Sequence, residues 1–168
     1  MLGSSEFGAS DFGAWYRANH AGVLATLTLT AGSTEVAEDV TAEAFARAFE
    51  HWDRVRTMEA PRGWLYKVAL NLLRRRGRRL ALERDLLRRT PAAETPPPAL
   101  DPEVWQAVKA LPERQRTAVA LRYVLDLPEA EVAQIMGITR GSASASLTTA
   151  RRRLEALLTR PEPDLEEV

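Results

Sequence analysis

Between positions 62 and 78, seven side chains suit contact with a polyanion: the cations Arg62, Lys67, Arg74, Arg75 and Arg78, the amide Asn71 and the indole Trp64. Arginine and lysine neutralise phosphates, asparagine can bond a base edge, and an aromatic ring can stack on an unpaired base. On a helical wheel, all of them except Arg62 fall within about 100°. Opposite them lie Leu65, Val68, Ala69, Leu72 and Leu73, at the i, i+3, i+4, i+7 spacing of a buried helix face. The pattern predicts a helix opening after Pro61 with one face for nucleic acid, although a basic amphipathic helix alone also suits a solvated or membrane-facing surface.

A second set is acidic. Glu35, Asp39, Glu43 and Glu50 fall within about 80° of one another, opposite Ala37, Val40, Ala44, Phe45, Ala48 and Trp52. Such a stripe is either a solvated face or a surface for a basic protein partner. A third set follows Pro128: a short helix (PEAEVAQIM) stops at Gly137, and Thr139 caps a longer one. Ala143, Leu147, Ala150, Leu154 and Leu157 phase its apolar side against Val132, Ile135, Met136 and Ile138. A short helix, a glycine turn and a longer helix make a helix-turn-helix, whose second helix enters the major groove.

These are binding chemistries, not catalytic ones. The chain has no cysteine, no phosphate-cradling glycine loop and no Ser/His/Asp set, and His20 and His51 lack adjacent partners and are expected at the surface or at helix ends. No enzyme activity, metal or cofactor is expected. The absence of cysteine fits a reducing compartment. The longest mildly apolar run, Ala21 to Ala31, is too short to span a bilayer, and the amino terminus lacks the pattern of a signal peptide. The expectation is a soluble, cytoplasmic protein without membrane insertion.

The elements that must hold these residues divide by charge. Residues 1–60 carry 4 basic and 9 acidic groups, residues 61–89 carry 10 and 2, residues 90–139 carry 4 and 7, residues 140–160 carry 5 and 1, and the last eight carry 0 and 4. Five prolines in Thr90 to Pro102 (TPAAETPPPALDP) remove backbone donors and oppose helix, so this stretch reads as a semi-rigid linker that holds two domains apart. Helical spacing recurs on both sides of it and strand alternation is absent. The reading is an all-α chain of two small helical domains: 10–89, a linker at 90–102, a helix-turn-helix domain at 103–160, and an acidic tail at 161–168. Asp11 is expected to cap the first helix, with Phe12, Trp15 and Tyr16 on it. Ser33 is expected to cap the second after the Gly32 break, and Pro112 to open the helix PERQRTAVALRYV. Residues Gly3 to Phe7 (GSSEF) look like a cloning remnant and are set aside from the fold.

Three motifs in order resemble the extracytoplasmic-function sigma factors of the sigma-70 family. Ala37-Glu38-Asp39-Val40-Thr41-Ala42-Glu43-Ala44-Phe45 is similar to that family's acidic region 2 motif. Pro61-Arg62-Gly63-Trp64-Leu65 through Asn71 is similar to its P-R-x-W-L-x-x-I-A-x-N. Leu111-Pro112-Glu113-Arg114-Gln115-Arg116, followed by Leu121-Arg122-Tyr123 and the helix-turn-helix, resembles its region 4. The likeness spans Phe12 to Leu158.

The resemblance implies partners and roles. The row Glu35, Asp39, Glu43 and Glu50 would meet core RNA polymerase at the β′ clamp helices, and region 4 would meet the β flap. The loop from Val55 to Arg62, with Arg62, Trp64, Lys67, Asn71, Arg74, Arg75 and Arg78, would bind the melted minus-10 element of promoter DNA. Arg140, Ser142, Ser144, Ala145, Ser146, Thr148, Thr149, Arg151 and Arg152 would read the minus-35 element. The resemblance also leaves room for an anti-sigma factor as a partner. Two departures stand out. Ala42 replaces a usual glutamine in the acidic motif, and Ser144, Ser146 and Thr149 replace usual cations in the recognition helix, which lowers its share of counterion release. A helix-turn-helix regulator acting without polymerase would explain the carboxy-terminal half but leave the acidic stripe without a role.

Overall fold

The computed structural model describes the backbone of residues 4–87 and 101–159 and the side chains of residues 11–78 and 101–159. Its elements are α1 (Ser4–Ala31), α2 (Thr34–Glu50), α3 (Trp52–Val55), α4 (Pro61–Leu87), α5 (Pro102–Lys109), α6 (Glu113–Val119) continued by a π-helical turn over Ala120–Val124, α7 (Glu129–Met136) and α8 (Arg140–Leu158). Among the described residues there is no strand, so the chain is all-α as expected.

Local chemistry sets the breaks. Gly32 takes a positive φ of 71°, a conformation that favours glycine. The next residue, Ser33, caps α2 by accepting from the Val36 N–H at 3.3 Å. Gly137, at φ 67°, ends α7, and the Thr139 hydroxyl then accepts from the Ser142 N–H at 3.1 Å to start α8. α5 is absent from the sequence reading, yet its start is well marked. The Asp101 carboxylate accepts from the N–H of Glu103 at 2.8 Å, and Pro102 stands where a helix needs no donor.

Two expectations about the amino-terminal helix are corrected. Asp11 does not cap α1, which runs on from Ser4 through it, so the residues set aside from Ser4 to Phe7 are part of the helix. No proline or competing cap interrupts that stretch. His20 is not a surface residue either: it is half-buried, with its ring 5.0 Å from that of Tyr16 and 5.9 Å from that of Phe45. His51 does lie exposed at a helix end, as the C-cap of α2.

The largest correction concerns the two halves. The proline-rich stretch is expected to hold them apart; most of that stretch lies outside the described residues, and the helices on either side of it pack together. One buried cluster contains Val23 and Leu27 of α1, Val40 and Phe45 of α2 and Leu65 and Leu73 of α4, along with Leu121, Leu125, Val132 and Leu147 from beyond the linker. α1 forms the seam. Its turn from Thr26 to Thr30 is buried on every side, with α2 and α4 to one side and α5, α6 and the π-helical turn to the other. Two of the three threonines of that turn fit because Thr28 and Thr30 donate to the carbonyls of Leu24 and Thr26, both at 2.8 Å. Trp105 of α5, fully buried, packs with Leu29 of α1, Val108 and Ala120.

Arg116 reinforces the seam. Its guanidinium donates to the Thr30 carbonyl at 3.1 Å, in the last turn of α1, and to the carbonyls of Lys109 and Leu111 at 3.0 and 2.9 Å. One planar fork thus satisfies helix-end acceptors from both halves. At the other end of the seam, a Cβ at Gly22 would stand 3.0 Å from the Tyr66 hydroxyl and 3.1 Å from Leu125 Cδ2. Any other residue at 22 would be tighter than ordinary van der Waals contact, so the ends of the Tyr66 and Leu125 side chains would have to give way slightly. The seam also explains why α4 is buried over a wider arc than its periodicity predicts. Tyr66 and Leu70, beyond the predicted apolar face, are 1% and 2% exposed, and α7 packs against this helix.

Candidate polymerase and nucleic-acid surfaces

On α2 the predicted division holds: Ala37, Val40, Ala44, Phe45 and Ala48 are buried, while Glu35, Asp39, Glu43 and Glu50 are exposed. The acids are not all free. Asp39 accepts from Arg76 of α4 at 2.5 Å, and Glu43 accepts from Arg47, one turn along, at 2.6 Å. Exposed pairs of this kind contribute about 0.2–1 kcal/mol, so a competing cation displaces them readily. Sequence reasoning misses Arg76 because it sits on the line of Leu65 and Leu72, one turn past the core, where its side chain reaches α2 instead of solvent. Phe49, beside the acidic row, is 57% exposed and stacks edge-on against Phe12 at 5.0 Å.

On α4, Arg62, Lys67, Asn71, Arg75 and Arg78 are exposed, as a nucleic-acid face requires. Trp64 and Arg74 are half-buried. Trp64 packs on the core, and Arg62 lies over the Tyr66 ring at 5.8 Å. Arg74 lines an open cleft of about 340 Å³ with Glu113, Arg114, Thr117, Met136 and Ile138, so the carboxy-terminal half covers one edge of the basic face. Arg74 also reaches the Asn71 side-chain oxygen, loosely, at 3.5 Å. The Tyr66 hydroxyl is buried beside Arg62 and Thr26 without a hydrogen bond of good geometry, and burial pushes its pKa up against the weaker lowering pull of those two side chains.

α7 and α8 form the expected helix-turn-helix, closed by buried Val132, Ile135, Met136, Ala143 and Leu147. Arg140, Ala145, Thr149, Arg151 and Arg152 are exposed along α8, and Ser142, Ser144, Ser146 and Thr148 are half-buried. Several hydroxyls are already engaged. Ser146 donates to the Ser142 carbonyl at 2.8 Å, Thr139 donates to the Ser142 hydroxyl at 2.9 Å, and Thr148 accepts from Arg151 at 3.5 Å. The side chains best placed for a partner are therefore Ala145 and Thr149, framed by Arg140, Arg151 and Arg152. The neighbouring Arg153 turns back to Gln115 of α6 at 3.3 Å. Among the described residues no group of three or more His, Cys, Asp or Glu could hold a metal, and no helix is long and apolar enough to cross a membrane.

Comparison with known proteins gives the family and the fold. The family model described as sigma-70 region 2 matches residues 15–82, and that described as sigma-70, region 4 matches residues 102–154. The ECF RNA polymerase sigma factor SigM of Bacillus subtilis (strain 168) is 29% identical over 136 residues, 74% of this chain and 81% of SigM. The chain belongs to the extracytoplasmic-function sigma factors of the sigma-70 family. This sigma factor shares its fold with solved relatives. RpoE of Bartonella quintana, in complex with the anti-sigma factor NepR, matches with a TM-score of 0.74 at 23% identity, over 88% of this chain and 96% of RpoE. CnrH, in complex with the cytosolic domain of CnrY, matches with a TM-score of 0.62 at 20% identity, over 88% and 86%. As an alternative sigma factor it directs transcription initiation with core RNA polymerase at promoter DNA. The region 2 match disfavours a polymerase-independent regulator, which would have no use for that half.

Proposed function

We propose that the faces described above divide the work of initiation by residue. Glu35, Asp39, Glu43 and Glu50 dock on the β′ clamp helices of core polymerase, and the carboxy-terminal domain, residues 103–160, meets the β flap. Arg62, Trp64, Lys67, Asn71, Arg75 and Arg78 of the 10–89 domain hold the melted minus-10 strand, with Arg74 at the edge. Arg140, Ala145, Thr149, Arg151 and Arg152 dock on the minus-35 duplex, with Ser142, Ser144, Ser146 and Thr148 behind them. Residues 90–102 connect the two domains and 161–168 form an acidic tail. The protein carries out no chemistry of its own and acts in the cytoplasm, where polymerase is. RpoE and CnrH, each solved with a protein ligand, make an anti-sigma factor a fitting further partner.

The observation that carries this reading is the opposition of charge across one small bundle. α2 turns its acids outward and the neighbouring α4 turns its cations outward, on two helices packed around a common core. A protein partner and a polyanion can therefore be held at once. Replacing Asp39 and Glu43 with Arg tests it: the double variant is expected to keep its helix content and to lose co-elution with core polymerase. Co-elution equal to that of the natural chain would reduce the stripe to a solvated face.

A further inference from the structure

Bases are read in the major groove by matched side chains: arginine or lysine for guanine, asparagine or glutamine for adenine, a carboxylate for cytosine. A recognition helix offers its amino-terminal turns to those edges. In α8 these turns, from Gly141 to Ala150, run GSASASLTTA and hold none of the matched side chains. Its guanidinium groups stand at Arg140, before this stretch, and at Arg151 to Arg153, after it.

The geometry of α8 says what is left to read with. Ala143, Leu147 and Ala150 are buried, so the opposite side carries Gly141, Ala145, Thr148 and Arg152, at i, i+4, i+7 and i+11, with Thr149 beside them. Thr148 is half-buried and accepts from Arg151. Two exposed groups remain between the arginines: the Ala145 methyl, and Thr149, which carries a methyl beside its hydroxyl. Gly141 is exposed too, and a Cβ there would meet nothing within 4 Å. Its φ is not left-handed either, so nothing inside the protein calls for a residue that weakens the helix. Close approach of the helix backbone to a partner does call for one.

We propose that α8 selects its duplex by the C5-methyl groups of thymine, with Ala145 and Thr149 as the specificity-determining residues, Gly141 letting the helix come close, and Arg140 and Arg152 holding flanking phosphates. This rests on the assignment of α8 to the minus-35 element. Thymine is the one base whose major-groove edge carries an apolar group. A methyl pressed against that group excludes water from both. Pressed against the amino group of cytosine or adenine, it leaves a donor dry and without a partner. Because the selecting contacts are uncharged, preference for thymine is independent of salt, while total affinity follows the arginines.

Deoxyuridine tests this, since it pairs as thymidine does and lacks only the methyl. Core polymerase carrying the full chain is titrated with a promoter fragment recovered by run-off transcription, and with the same fragment bearing deoxyuridine for thymidine throughout the minus-35 element. Binding is expected to weaken about fourfold for each methyl that loses its contact, with the salt slope unchanged. Thr149→Ser keeps the hydroxyl and removes the methyl at an exposed position. It is expected to bind the thymidine fragment more weakly and to lose less on deoxyuridine than the natural chain does, and Ala145→Gly is expected to do the same. Equal binding of the two fragments by the natural chain would overturn the proposal. So would a deoxyuridine effect undiminished in both variants, which would place the methyl's influence in the duplex and not in α8, or a minus-35 element without thymine on either strand. Absence of any discrete start site with the natural chain would overturn the promoter assignment itself, and the proposal with it.

Discussion

Arg76 of α4 and Asp39 of α2 meet at 2.5 Å, joining the helix that carries the basic face to the helix that carries the acidic one. Both side chains are about half-exposed, so the pair is worth roughly 0.2–1 kcal/mol. Its consequence is for binding more than for stability. Arg76→Ala is expected to leave the fold within about 1 kcal/mol of the natural chain and to keep or raise affinity for core polymerase, because it frees the Asp39 carboxylate. Titration of labelled variant against core polymerase decides it. A loss of affinity would mean that Arg76 positions Asp39 instead of competing for it.

The exposed cations of α4 make a separable prediction about salt. Alanine at Arg75 or Arg78 is expected to lower the slope of log affinity against log salt for single-stranded minus-10 DNA by about 0.7 for each phosphate that is no longer neutralised. Arg74→Ala is expected to change the slope less, because its side chain is half-buried in the cleft beside Glu113. Equal effects at all three positions would show that the cleft opens whenever DNA is bound.

On α8 the hydrogen bonds separate readers from bystanders. Thr149→Ala is expected to alter base preference at particular minus-35 positions by about 1–3 kcal/mol without changing the salt slope. Ser146→Ala is expected to leave preference unchanged, since that hydroxyl already donates to Ser142. Competition binding against a library randomised in the upstream element measures both.

Tyr66 gives a pH signature. Its folded pKa is raised above the ordinary 10.0 by burial. The folded state therefore holds the proton longer than the unfolded chain does, so the stability this residue contributes is intact below about pH 10 and is lost as pH rises from there through the folded pKa. Tyr66→Phe removes that alkaline loss. Near pH 7 it is expected to cost about 1 kcal/mol or less, because the buried hydroxyl makes no hydrogen bond of good geometry with the neighbouring Arg62 and Thr26. Thermal melts of the two proteins at pH 7 and above pH 10 check the difference.

The parts of this structure visible in the sequence are those set by local chemistry. Ser33, Gly137 and Thr139 mark helix ends because a cap is a contact between neighbours in the chain. The acidic and basic faces of α2 and α4 are visible because helical period fixes which residues share a side. The seam is not visible. The alternating threonines and leucines of α1 carry no mark of being buried on both sides, and Tyr66 and Leu70 lie off the apolar stripe of their own helix. Their burial comes from helices some fifty residues away, and helical periodicity does not record partners at that distance. Asp101-Pro102 is different: its capping signal is present in the chain, but the proline-rich stretch before it draws the residues into the linker reading.

The central claim is that this chain turns core polymerase toward particular promoters through both of its halves. Run-off transcription on fragmented genomic DNA tests it most directly, comparing core polymerase alone, with the natural chain, and with the chain carrying Asp39→Arg and Glu43→Arg. Discrete start sites are expected only with the natural chain, sharing one sequence near minus 10 and another near minus 35. Transcripts no different from those of core polymerase alone, or undiminished with the double variant, would contradict the account.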